Sequence, residues 1–261
     1  MDLTGKIALV TGAGSGIGRA TARLLAERGA TVWAAVHSDH SAEDVGTEFS
    51  GGDLDVRPIT SELSEEQSVR GLFERIDKEC GRLDIVVANA GINGVWAPLG
   101  ELTLDEWNKT LSTNLTGTFL TMKYALPGLR AAGGGSIVVT ASVNGTRMFS
   151  NSGASAYASS KAGQVALTKM AAVELARDKI RVNVVCPGAI DTEIGDNTEH
   201  RNIENLHIPV EHPQGEIPLT GDQPGTSDDV ANLICFLSSS DAKHITGTEV
   251  WVDGAESLLR G

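Results

Sequence analysis

"TGAGSGIG", residues 11–18, follows the apolar run "KIALV" at 6–10 and leads into a helical stretch from Ile17 to Arg28. A short apolar run of this kind reads as a buried strand, so the glycines stand at a strand-to-helix turn. There Gly12, Gly16 and Gly18 permit a tight turn, close backbone approach to a pyrophosphate and close helix–strand packing. The start of the helix, at Ser15, Gly16 and Ile17, offers unpaired N–H groups and a partial positive charge to phosphate. The spacing G-x-x-x-G-x-G differs from the G-x-G-x-x-G of the standard dinucleotide fingerprint. A ligand-free turn can have the same composition, so the surrounding order decides.

Outward from this turn, strand and helix signals alternate. Further strand candidates are "ATVWAAV" (30–36), "DLDVRPI" (53–59, weakened by Pro58), "LDIVVANAG" (83–91), "GSIVVTAS" (135–142), "IRVNVVCPG" (180–188) and "GTEVWVDG" (247–254). Between them, the S-x-x-Q capping box of "SEEQ" (64–67) opens a helix to about Glu79, and Thr103 with Glu106 opens another to about Gly128. "ASAYASSKAGQ" (154–164) leads a helix to about Arg177, and "TSDDVANLICFLSS" (226–239) forms one more. This order predicts a single α/β domain over 1–261: a doubly wound parallel sheet of about seven strands with helices on both faces. The one irregular region, 189–225, follows the C-terminal end of a strand, where open α/β sheets bind ligands, and is expected to be a substrate lid.

Composition narrows the function classes. The net charge of −13 argues against nonspecific binding to nucleic acid or anionic membrane, though a local pocket can still take an anionic cofactor. No apolar run approaches the length of a membrane span. The N-terminus "MDLTGKIALVTGAG" starts acidic and enters a strand at once, unlike a secretory signal, so a cytoplasmic location is expected. Cys80, Cys186 and Cys235 form no C-x-x-C pair, and His200, His207 and His212 have no standard ligand spacing. Neither a disulfide framework nor a metal site is expected.

Tyr157 and Lys161 lie four residues apart, on one face of a helix. Such a pair is common on helices without any chemistry. A free phenol has a pKa near 10, about three units or roughly 4 kcal/mol from ready ionisation at neutral pH. A cation one helical turn away, at low effective dielectric, can supply much of that. Tyr124, the other tyrosine, has no lysine four residues after it.

In order along the chain, "TGAGSGIG", "NAG" (89–91), Asn114, Ser142, Tyr157-x-x-x-Lys161 and "PG" (187–188) resemble the short-chain dehydrogenase/reductase family, over about residue 3 to Gly254. The resemblance implies a Rossmann-type fold and an NAD(P)-dependent oxidoreductase that interconverts a secondary alcohol and a ketone by hydride transfer. It makes Tyr157 the general acid/base, Lys161 its tuning cation, Ser142 the group that orients the substrate oxygen, and Asn114 the holder of a water that relays protons from the lysine. It also implies cofactor contacts at Asn89, Ala90 and Gly91, at Glu62 and Leu63, and at Pro187, Gly188, Ile190 and Thr192. At the end of the second strand the expected NAD-type carboxylate is absent. Val36, His37 and Ser38 stand there, which favours NADP because nothing repels its phosphate. Ser142 and Tyr157 are fifteen residues apart, about two more than the family usually has. The extra length, with Asn144, Met148 and Phe149, is expected to shape a substrate pocket with Trp96 and Ile194. The expected partner is a small-molecule alcohol or ketone, and the expected assembly a homotetramer or dimer. Two alternatives stay open: an epimerase or dehydratase acting through transient oxidation, and a cofactor-sensing binding protein without chemistry.

Overall fold

The computed structural model describes residues 1–204, 206 and 215–260. Parallel strands form its centre: β1 (Ile7–Thr11), β2 (Thr31–Val36), β3 (Val56–Thr60), β4 (Ile85–Ala88), β6 (Gly135–Thr140), β7 (Ile180–Pro187) and β9 (Glu249–Val252), after a three-residue β5 (Gly94–Trp96) and a three-residue β8 (Thr198–His200) are set apart. The seven-stranded sheet has the order β3-β2-β1-β4-β6-β7-β9, and the two short strands pair with each other. The strand order reverses between β1 and β4, which opens a crevice at the C-terminal ends of the strands. Pro58 is accommodated because β3 is an edge strand, where one side of the ladder needs no donor.

Alternation along the strands builds two cores. In β1, Leu9 faces one core and Ala8 and Val10 the other, and all three are fully buried. One layer of helices, α1 (Gly16–Glu27), α2 (Asp39–Glu48) and α7 (Ser227–Ser238), covers the face that holds Val10. The opposite face is covered by α3 (Glu66–Cys80), α5 (Gly117–Ala131) and α6 (Ser155–Leu175). α4 (Leu104–Leu111) runs into a π-helical turn at Ser112–Thr116 before α5, and α8 (Glu256–Arg260) ends the described chain. No helix among the described residues is long and apolar enough to cross a membrane.

Several local expectations change. The capping box expected at Ser64 does not form. The N-cap of α3 is Glu65 without a side-chain bond, because the Ser64 hydroxyl donates to Glu62 instead. The boxes that do form are Thr103 with Glu106, as expected, and Thr226 with Asp229. The long helix expected from Thr103 runs continuously to Ala131 with a π turn inside it, whereas α2 and the β5–β8 ribbon have no counterpart in the sequence reading. Within 189–225 the chain forms a 3-10 turn at Glu193–Asn197, β8 and two isolated bridges, Ile190 to Gly225 and Ile217 to Gly221. His207 and His212 lie outside the described residues.

Candidate active site

The glycine turn builds one end of the crevice. Gly12 and Gly16 have positive φ, +65° and +48°, which L side chains rarely adopt. A Cβ on Gly12 would stand 2.8 Å from the Ala90 Cα, and one on Gly18 would collide with the Gly12 carbonyl oxygen. Ser15 caps α1 in an extended conformation without a side-chain bond, so the first-turn N–H groups have no side-chain acceptor. Ile17 packs on the core below. Beside Gly16 lies a cleft of about 390 Å³, lined also by Arg19, Thr192 and Ser227. Free helix donors over a backbone that tolerates no side chain fit the pyrophosphate of a dinucleotide.

Asn89 ties this turn to the sheet: its amide donates to the carbonyls of Thr11 (3.2 Å) and Gly12 (3.4 Å). The Thr11 hydroxyl accepts from the N–H groups of both Asn89 and Ala90. At the end of β2, Val36 is buried beneath Gly14 and His37 is exposed. Ser38 is the N-cap of α2, its hydroxyl accepting from the Ser41 N–H. Asp39 accepts from the Thr60 hydroxyl and so is turned toward β3. The Glu62 carboxylate folds onto Ser64, whose backbone N–H, then hydroxyl, hold its pKa below the ordinary value, and His37 adds to this. Leu63 is buried next to Gly117.

Across the crevice Ser142, two residues beyond β6, meets Tyr157 on the first turn of α6. The Ser142 hydroxyl faces the phenol closely enough to favour its ionised form, and its Oγ accepts from the Asn144 N–H at 3.1 Å. Lys161, one turn further, donates to the Thr140 carbonyl at 2.9 Å, and its Nζ lies 5.6 Å from the centre of the Tyr157 ring. Gly91 lies against the same groups, a Cβ there standing 3.2 Å from Asn114 Oδ1 and 3.4 Å from the Lys161 Nζ. Tyr157 and Lys161 are both buried. Burial raises the Tyr157 pKa, opposed only by the Ser142 hydrogen bond, and pulls Lys161 down to about 8. Desolvation thus sets the direction for both groups.

Asn114 sits on the π turn, a local irregularity often found at functional sites. It is fully buried, and both ends of its amide are engaged. Nδ2 donates to the Ile92 carbonyl (2.9 Å) and the Ser160 hydroxyl (3.0 Å), and Oδ1 accepts from the Ile92 N–H at 2.8 Å. Its main-chain carbonyl accepts from the Thr118 hydroxyl and from Gln164 Nε2. These bonds fix Asn114 against Ser160 and Gln164 of α6. Gln164 was not singled out in the sequence, although its place one turn after Lys161 on the buried stripe of α6 was a signal.

The pocket expectations divide. Trp96 lies beside Tyr157, with ring centres 6.5 Å apart and planes at 39°. Met148 is buried and bridged to Asn144, whose Oδ1 accepts from Asn151 Nδ2. Phe149, by contrast, is 72% exposed, because the turn that buries Met148 sends the next side chain outward. Ile194 is 37% exposed. Pro187 accepts from the Val143 N–H, and Gly188 packs so closely on Asp253 that a Cβ would stand 2.7 Å from its Cβ. Ile190 bridges to Gly225, and Thr192 stands over Gly16. His200, for which the sequence shows only the lack of a standard ligand spacing, stacks on Trp96 with ring centres 5.5 Å apart.

Residues 12–255 match a family model described as enoyl-(acyl carrier protein) reductase. The chain is 39% identical to cis-4-hydroxycyclohexanecarboxylate dehydrogenase of Sinomonas cyclohexanicum, over 97% of both chains. A 3-ketoacyl-ACP reductase from Sinorhizobium meliloti superposes with a TM-score of 0.92 at 49% identity, covering 97% of this chain and 100% of the other. A 3-ketoacyl-(acyl-carrier-protein) reductase from Brucella melitensis, solved with NADH, gives 0.85 at 29% identity over 98% and 100%. By fold and by these likenesses the chain belongs to the short-chain dehydrogenase/reductase family and is an NAD(P)-dependent oxidoreductase.

Proposed function

We propose that the protein interconverts a secondary alcohol and a ketone, with Tyr157 as general acid/base. The observation that carries this reading is the buried contact of the Ser142 and Tyr157 hydroxyls, with the Lys161 ammonium against the phenol ring. A substrate oxygen between the two hydroxyls receives hydrogen bonds from both, which orients it and stabilises the charge it develops. On oxidation Tyr157 takes the hydroxyl proton, and on reduction it returns one to the carbonyl oxygen. A bound nicotinamide supplies the hydride acceptor or donor. Lys161 spends one N–H on Thr140. Its other donors can hold cofactor hydroxyls or pass a proton to water, while Asn114 acts by fixing Ile92 and Ser160 around it.

Gly12, Gly16, Gly18 and Ser15 hold the pyrophosphate, and Thr192 the nicotinamide end. NADP is the favoured cofactor: His37 and Ser38 stand at the end of β2, and Asp39 is bonded to Thr60. The Trp96 indole beside Tyr157, with the 39% identical relative that acts on a hydroxycyclohexane carboxylate, favours a compact substrate with a ring-sized apolar body. Three free cysteines are consistent with a cytoplasmic, reducing compartment. Exposed Met170 and Val173 on α6 and Phe119 on α5 support assembly into a homotetramer, to be read by light scattering. The test of the chemistry is Tyr157→Phe: turnover of a panel of ketones should vanish while calorimetric NADP and NAD affinities stay. Surviving turnover refutes it.

A further inference from the structure

The β5–β8 ribbon joins the middle of the expected lid to the wall of the site. Its parallel register pairs Gly94 with Thr198, Val95 with Glu199 and Trp96 with His200. Residues opposite one another project to the same face, and so the His200 imidazole stacks on the Trp96 indole. Arg201 is next along the chain and continues the ribbon, its N–H donating to the Trp96 carbonyl at 2.9 Å. Its side chain goes to α4. One guanidinium nitrogen donates to Glu106 Oε1 at 2.8 Å, and the other to Oε2 at 2.9 Å and to the Glu101 carbonyl at 2.7 Å. Glu106 is already held by the Thr103 N–H in its capping box, so the acceptor is fixed before Arg201 arrives. The Arg201 fork holds the Glu106 carboxyl down to about 2. Neighbouring bonds from Asn93 to Thr198 and from Asn202 to Glu101 add to the same seam.

We infer that Arg201 is a positioning residue for substrate binding: its two-pronged bond to Glu106 holds the β5–β8 ribbon in place and thereby fixes Trp96 and His200 as a rigid wall beside Tyr157. This rests on the reading of Tyr157 as the reacting group. A wall that must be ordered anew with each substrate costs affinity, whereas the hydride and proton steps, carried by Ser142, Tyr157 and Lys161, do not use Arg201. The effect therefore belongs in KM.

The test uses the full chain with bound cofactor and a panel of cis-4-hydroxycyclohexanecarboxylate, cyclohexanone and an acetoacetyl ester. Arg201→Ala should raise KM about tenfold or more with kcat little changed, the scale of a charge-assisted two-pronged bond. Amide exchange at 94–96 and 198–201 should quicken, cofactor affinity should hold, and Arg201→Lys should recover only part of the KM. Glu106→Gln keeps an oxygen for the capping bond and removes the charge, so it should shift KM the same way even where Arg201→Ala folds poorly. Unchanged KM in these variants, with or without faster exchange, overturns the inference, as does a fall confined to kcat. Failure of the underlying reading registers separately, as turnover that survives Tyr157→Phe.

Discussion

Replacing Asn114 separates a scaffold from a proton relay. Asn114→Ala removes three hydrogen bonds in a fully buried position: two donated by Nδ2 and one accepted by Oδ1. Each is worth about 1 kcal/mol net, and the Ile92 N–H and carbonyl they leave behind are only partly reachable by water. With the small void left by truncation, the expected loss is about 3–4 kcal/mol. For a domain of this size that lowers the melting temperature by roughly 10 °C. Asn114→Asp keeps the acceptor for Ile92 but turns an oxygen toward the Ile92 carbonyl and buries a carboxylate, so it should be no milder. Urea unfolding of the cofactor-free protein, at one fixed protein concentration because assembly adds to apparent stability, reads the difference. A loss below about 1 kcal/mol would refute the argument. Unaltered stability with an altered pH profile of turnover would return the relay to Asn114.

The glycine turn and the buried lysine give two further expectations. Gly18→Ala drives a methyl into the Gly12 carbonyl and to 2.7 Å from Asn89 Nδ2, so cofactor affinity by calorimetry should fall at least about tenfold; retained affinity would mean the turn yields. Lys161, brought down to about 8 from 10.5 by burial, sheds its proton first in the folded state. Between those values the unfolded chain binds more protons, so the lysine's contribution to stability rises with pH. Wild type compared with Lys161→Met in paired urea melts should gain stability from pH 8 toward 10.5. A flat difference would show the ammonium is not desolvated.

The strands were legible because burial on both faces writes an unbroken apolar run, as in "KIALV" or "GSIVVTAS", and the Thr103 capping box because its partners are three residues apart. Ser142, Tyr157 and Lys161 could be named from spacing and resemblance. The short elements escaped. β5 and β8 are three residues each, and their pairing joins positions about a hundred residues apart, which no local pattern encodes. Asn114 shows the same limit: its type was noticed, but its partners Ile92, Ser160 and Gln164 come from a separate loop and a separate helix.

Taken alone, the sequence determined the alternation of strands and helices, the glycine turn and the tyrosine–lysine pair, because each depends on neighbours within about one helical turn or one strand. Only the tertiary structure decided that desolvation moves Tyr157 up and Lys161 down, since burial is a property of everything packed around them. It alone turned Phe149 outward, engaged both ends of the Asn114 amide, and set Arg201 on Glu106 behind the Trp96–His200 wall. Those outcomes depend on contacts between distant segments, where geometry rather than residue type selects the partner.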